Sequence, residues 1–163
     1  MDVPLLTGPI YGLRSWRVVG ARGDERLVAP HRGTPWAAGG ELTQARCPSA
    51  PGHVPPEPGC RCGLHAWHPT PRAARRACGY RREIAGILEA WGTVELHADG
   101  FRAERGRPHA LVLLPRGNPA LLERLAAFYD ARLLVLRGPR ALGAYCQDQG
   151  LGMSASTVTG LLA

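Results

Sequence analysis

Lysine is absent from this chain; all 20 basic residues are arginine. There is accordingly no phosphate-binding glycine loop with its lysine, and neither a G-x-S-x-G elbow nor a dinucleotide fingerprint occurs, so the commonest enzyme classes lose their signatures. Long apolar runs are missing as well. Nothing approaches the roughly 20 residues that span a bilayer, and the start from Met1 to Trp16 lacks the basic-then-apolar pattern of an export signal. A cytoplasmic protein with no membrane partner is the expectation. Phenylalanine occurs only twice, so the four tryptophans, Trp16, Trp36, Trp67 and Trp91, are expected to fill a core rather than form a stacking platform. Five cysteines, an odd number without an export signal, argue against a disulfide framework and for reduced thiols.

What is present begins with charge. The net charge of +7 on 163 residues raises polyanions as partners. Arginine in place of lysine goes together with abundant Ala, Gly and Pro, the signature of a GC-rich coding sequence, so the excess charge is informative and its arginine identity is not. With 45% hydrophobic residues, the chain can build a real core.

The sharpest local feature is a run of potential metal ligands: Cys47, His53, Cys60, Cys62 and His65. Pro48 to Gly59 holds five prolines and two glycines, so it is irregular and must be held by something other than a backbone ladder. Two cysteines one residue apart reach a single ion where the chain turns sharply, which Gly59 and Gly63 permit. Cys47, His53, Cys60 and Cys62 are the expected zinc ligands, with His65 as the alternative to His53. A catalytic zinc keeps an open position beside a general base. Glu57 is near, but four protein ligands leave no room, so the metal is expected to be structural.

The run Cys60-Arg61-Cys62-Gly63-Leu64-His65-Ala66, preceded by Cys47 and His53 and followed by Trp91-Gly92-Thr93-Val94 and Gly100-Phe101-Arg102-Ala103-Glu104, resembles a pattern in small uncharacterised proteins of actinobacteria and their phages. The resemblance covers residues 11 to 115. It implies that the thiol cluster and the Trp-Gly strand belong to one module, and it carries no activity.

Two further constellations stand out. Arg72, Arg75 and Arg76, at helical spacing after the Thr70–Pro71 cap, with Arg81 and Arg82 around Tyr80, form a candidate nucleic-acid face. His97, Arg102 and Glu104 flank the Asp99-Gly100 turn and form a candidate site for an anionic substrate, against the plainer expectation of a solvated hairpin with cross-strand charge pairs. Cys78 and Cys146 lack a nucleophile's partners in the sequence, and Cys146 falls on an apolar helix face.

Hairpins are expected over Tyr11–Ala29 and Ile84–Leu114, short strands near Glu41–Arg46 and Gly63–His68, and a helix over 71–78. A helix after Asn118, a buried strand at Leu133–Leu136, a helix from Pro139 and a last helix capped by Ser154 or Ser156 complete the chain. The expected fold is α+β: a small twisted antiparallel sheet or partial barrel with a zinc-clamped loop, covered by the C-terminal helices. Residues 1–115 are expected to form the β-rich zinc module and 116–163 a helix–strand–helix tail packed on it as one domain. The expected function is non-catalytic binding, of nucleic acid through the arginine face. The alternatives are a protein-interaction adaptor, or a small enzyme using His97, Arg102 and Glu104.

Overall fold

A computed structural model describes residues 8–50, 52–153 and 158; the final helix expected after Ser154 or Ser156 lies outside the described residues. The α+β expectation is met, with eight strands in one sheet and three helices among the described residues. The first hairpin pairs β1 (Ile10–Val19) with β2 (Arg26–Ala29), and β3 (Arg32–Pro35) extends it. β3 was not expected, because proline and glycine disguise it as turn; it is an edge strand, where a residue without an N–H is tolerated.

The long hairpin of β6 (Glu83–His97) and β7 (Gly100–Leu113) forms the spine. The turn expected at Asp99-Gly100 falls one residue earlier, at Ala98-Asp99, because His97 pairs with Gly100; a side chain at Gly100 would strike the Ala66 carbonyl oxygen at 2.1 Å. β1 pairs with β6 over eight residue pairs, while β5 (Leu64–Trp67) bonds both β1 and β7. β1, β5, β7 and β6 thus close a ring of bonded strands that is not a true barrel, since β1 and β5 share a single paired position, Leu13 with Trp67. The short β4 (Thr43–Gln44) borders β7, and β8 (Arg132–Val135) runs parallel to it. The sheet is therefore mixed.

Side-chain alternation assigns the two faces. On β7, Leu111 and Leu113 join Trp16, Leu27, Trp36 and Leu88 beneath α2 (Pro119–Tyr129), which contributes Leu122, Leu125, Ala126 and Tyr129. Ala110 and Val112 point the other way, into a layer with Leu13, Ala85 and Ile87 beneath α1 (Pro71–Gly79) and α3 (Pro139–Asp148). Caps set the helix starts: Thr70 Oγ1 accepts from the Ala73 amide at 3.1 Å and Asn118 Oδ1 from the Leu121 amide at 3.2 Å, each ahead of a proline in the first turn. Tyr129 is fully buried, and its hydroxyl accepts from the Leu27 amide at 2.8 Å, tying α2 to the first hairpin. Among the described residues no helix is long and apolar enough to cross a membrane.

Candidate metal centre and adjoining cleft

The ligand loop leaves β4 at Cys47 and returns to β5 through Cys62. Its sharp turns fall where glycine was expected, with Gly59 at φ +81° and Gly63 at φ +123°. Cys47, His53, Cys60 and Cys62 converge so that one ligand atom from each lies within 4.8 Å of the others. The Cys47 and Cys60 sulfurs are 3.7 Å apart and His53 Nε2 is 3.1 Å from Cys62 Sγ. Thiolates at about 2.3 Å on one tetrahedral ion sit about 3.8 Å from each other, so the sulfur spacing suits a shared ion. The Ala50 amide donates to Cys47 Sγ at 3.3 Å, and the Cys62 amide hydrogen bond holds Cys60 below the ordinary thiol range, while burial pushes Cys62 above it. Three thiols and one imidazole in this arrangement could hold a metal ion.

His65 takes no part. Its Nε2 lies 3.0 Å from the Arg61 carbonyl oxygen, outside the four-ligand cluster. Partial desolvation by the surrounding protein, with Arg14 and Arg102 adding to it, holds the ring below the usual imidazole range despite the opposing Arg61 contact.

The hairpin constellation is rearranged. Arg102 is buried, and its Nη1 donates to the carbonyls of Cys60 and Cys62, the latter at 3.0 Å. Nη2 meets Glu95, and Nε is 3.3 Å from His97 Nε2. One arm of this guanidinium ties the ligand loop to the sheet, and the other two are spent within the β6–β7 hairpin. Glu104 lies apart, accepting from the Thr93 amide at 3.0 Å and pairing with Arg105. Glu95, which no sequence argument singled out, is the carboxylate that Arg102 meets, because β6 pairs residue 95 opposite residue 102.

The expected nucleic-acid residues Arg72, Arg75, Arg76, Arg81 and Arg82 are all exposed. Arg75 lines a small hollow between α1 and α3, whereas Arg76 lines a separate cleft, with its guanidinium 5.1 Å from the Trp67 ring centre. Trp16 and Trp36 are buried as expected, and Trp67 and Trp91 are partly so.

Arg76 faces a cleft of about 1210 Å³ that no motif announced. The metal loop supplies Arg61, Cys62 and Gly63 to one wall, the β2–β3 turn supplies His31, and α1 supplies Arg76 and Tyr80. Leu13, Ala66, Trp36 and Phe101 add apolar lining, Arg14 of β1 is among the lining residues, and two acids, Glu83 and Asp99, line the cleft as well.

A second polar cluster is closed on itself. Glu89 is buried yet receives Trp91 Nε1 at 2.8 Å, Arg107 Nε at 3.0 Å and His109 Nδ1 at 3.3 Å. Burial alone would raise its carboxyl; the hydrogen bonds from Trp91 and Arg107 outweigh that and hold it below the usual range. Burial dominates at His109 and keeps it below the usual imidazole range. Cys78 and Cys146 are buried, and burial pushes both thiols up, Cys146 to about 11, as expected of packing residues rather than nucleophiles.

Comparison with protein-family models, with curated proteins and with solved structures returns no match.

Proposed function

We propose that the chain is a zinc-stabilised, non-catalytic module that binds single-stranded nucleic acid in the cleft between its metal loop and α1. Zinc is assigned from donor chemistry: three thiolates and an imidazole suit a tetrahedral, borderline-soft ion, and four protein ligands close the coordination shell. The ion's part is to hold the loop that forms one wall of the cleft.

The observation that carries the binding assignment is the composition of that cleft. Arg61, Arg76, Arg46 and His31 line it together with the Trp67 and Tyr80 rings, and these four basic residues outnumber the two acids of the lining, Glu83 and Asp99. Cations that follow a phosphate backbone, interleaved with rings on which bases stack, are the physical requirements of single-strand binding. The remaining arginines of the α1 region, Arg72, Arg75, Arg81 and Arg82, add long-range attraction from outside the cleft.

Fluorescence anisotropy of a labelled single-stranded oligonucleotide tests the assignment. Binding should weaken steeply as salt rises from 50 to 200 mM. Arg76→Ala and Arg61→Ala should each lower affinity and flatten the salt dependence by about one charge. Salt-independent capture of a protein partner, with no oligonucleotide binding, would instead favour an interaction adaptor.

A further inference from the structure

We infer that the cleft recognises a phosphomonoester, with Arg14 gripping the phosphate at the floor; this rests on the cleft being the nucleic-acid site proposed above. Arg14 is 9% exposed and sits in the middle of β1, with a neighbour in β6 on one side and β5 on the other. Its Nη1 donates to the His65 carbonyl oxygen, and its Nε is buried with no hydrogen-bond partner. No carboxylate is ion-paired with it among the described residues: Glu83, which also lines the cleft, supports its charge from a distance and accepts from the Ser15 hydroxyl. Burial pulls this guanidinium down to about 10, so it is still charged at neutral pH.

A buried cation with no carboxylate in contact is costly, and removal from water is repaid best when an anion with good geometry joins it. The Trp36 ring, 4.9 Å from the guanidinium carbon, and the Trp16 ring, 5.9 Å away, hold the planar group in place before any ligand arrives. Such a fixed fork matches two oxygens of a phosphate.

Depth decides which phosphate. The phosphates of a duplex lie on a convex surface and reach only the rim. An internal phosphodiester of a single strand has one charge and a nucleoside on each side, so both flanks would have to double back out of the cleft. A phosphomonoester has one flank, and with a second pKa near 6 it carries close to two charges at neutral pH. The rim cations Arg61 and Arg76 can then meet the following phosphates or, for a free nucleotide, remain with solvent. The shared chemistry is a nucleoside phosphomonoester, whether a strand end or a free mononucleotide.

The test compares four probes on the full-length zinc-loaded protein: an octanucleotide with a 5′-phosphate, the same strand with a 3′-phosphate, the same strand with hydroxyls at both ends, and a nucleoside 5′-monophosphate. A phosphorylated end should bind at least about tenfold more tightly than the hydroxyl form, as charge-assisted hydrogen bonds from one guanidinium can supply. Arg14→Gln should abolish that preference, whereas Arg76→Ala should weaken all strands alike and leave the ratio intact. Equal binding of phosphorylated and hydroxyl strands overturns the phosphomonoester inference and leaves single-strand binding standing. Arg14-dependent binding of the mononucleotide without binding of any strand supports the inference and overturns the polymer assignment, and no binding of any probe overturns both. Should Arg14→Gln fail to fold, the wild-type ratio between phosphorylated and hydroxyl strands decides alone.

Discussion

The ligand loop between Cys47 and Cys62 and the α2 layer on the sheet are held by different physics. Under α2, Leu122, Leu125, Ala126 and Tyr129 are buried against Trp16, Leu27 and Leu111. In the loop, Val54 is 64% exposed, and the groups drawn inward are mainly prolines and thiols. One region is cemented by apolar area, the other by a handful of directed contacts from Cys, His and Arg102. Apolar packing tolerates the loss of a contact in proportion to its area, whereas a ligand set fails as a unit. Selective damage to one region with the other intact is therefore possible, and the contrast can be tested.

The largest effect is expected from the metal. Chelation, or Cys62→Ser, should release the ion and lower the melting temperature by roughly 10 °C, the shift expected in a chain this size from a loss of about 4 kcal/mol. Hydrogen exchange should rise first in residues 47–65 and leave α2 protected. Uniform loss of protection across the loop and α2 would remove the distinction between the two regions.

Leu125→Ala probes the other side. Leu125 is 1% exposed, and truncation should cost about 3 kcal/mol through lost transfer energy and the cavity left behind. Metal content, measured by mass spectrometry on the folded variant, should stay at that of the wild type. Metal loss from this variant would mean that the loop depends on α2 packing after all.

Arg102→Met should cost less, about 2 kcal/mol, because it leaves the Cys60 and Cys62 carbonyls and Glu95 without their donor while keeping the apolar stem. The folded variant should release its metal to a competing chelator faster than the wild type. An unchanged release rate would show that the ligands alone hold the loop.

Arg102 also marks the limit of what can be read from the chain. The four clustered ligands are visible in the sequence because the loop between them can have no regular structure, and the caps at Thr70 and Asn118 and, to within one residue, the hairpin turn at Ala98-Asp99 are visible because they are local chemistry. Arg102 was noticed beside His97 and Glu104, but its use was hidden, since its partners Cys60 and Cys62 lie about forty positions away and meet it only through the β5–β7 pairing. Arg14 was invisible for the same reason: in the string YGLRSWRVV it reads as one polar residue on a strand, and only β5, β6 and the β2–β3 hairpin together bury it. The parallel partner of β7 escaped too, because a short apolar strand such as β8 has no periodicity that would tell its direction.

The mildest perturbation reaches the α2 side through charge rather than packing. Arg124 of α2 meets Glu25 at the turn of the first hairpin, and that hydrogen-bonded contact lowers the Glu25 carboxyl to about 2 and raises Arg124. A carboxyl depressed in the folded state stabilises it fully above the ordinary carboxylate range, and the contribution disappears as pH falls through about 2. Arg124→Ala should therefore lower stability slightly and evenly at pH 6 to 8, and the gap from the wild type should close progressively below pH 4. High salt should narrow the gap at neutral pH, since the pair is near the surface. A gap that persists unchanged at pH 2.5 would assign the contribution of Arg124 to the packing of its stem on α2, and would make this side apolar in its energetics even at the Arg124–Glu25 pair.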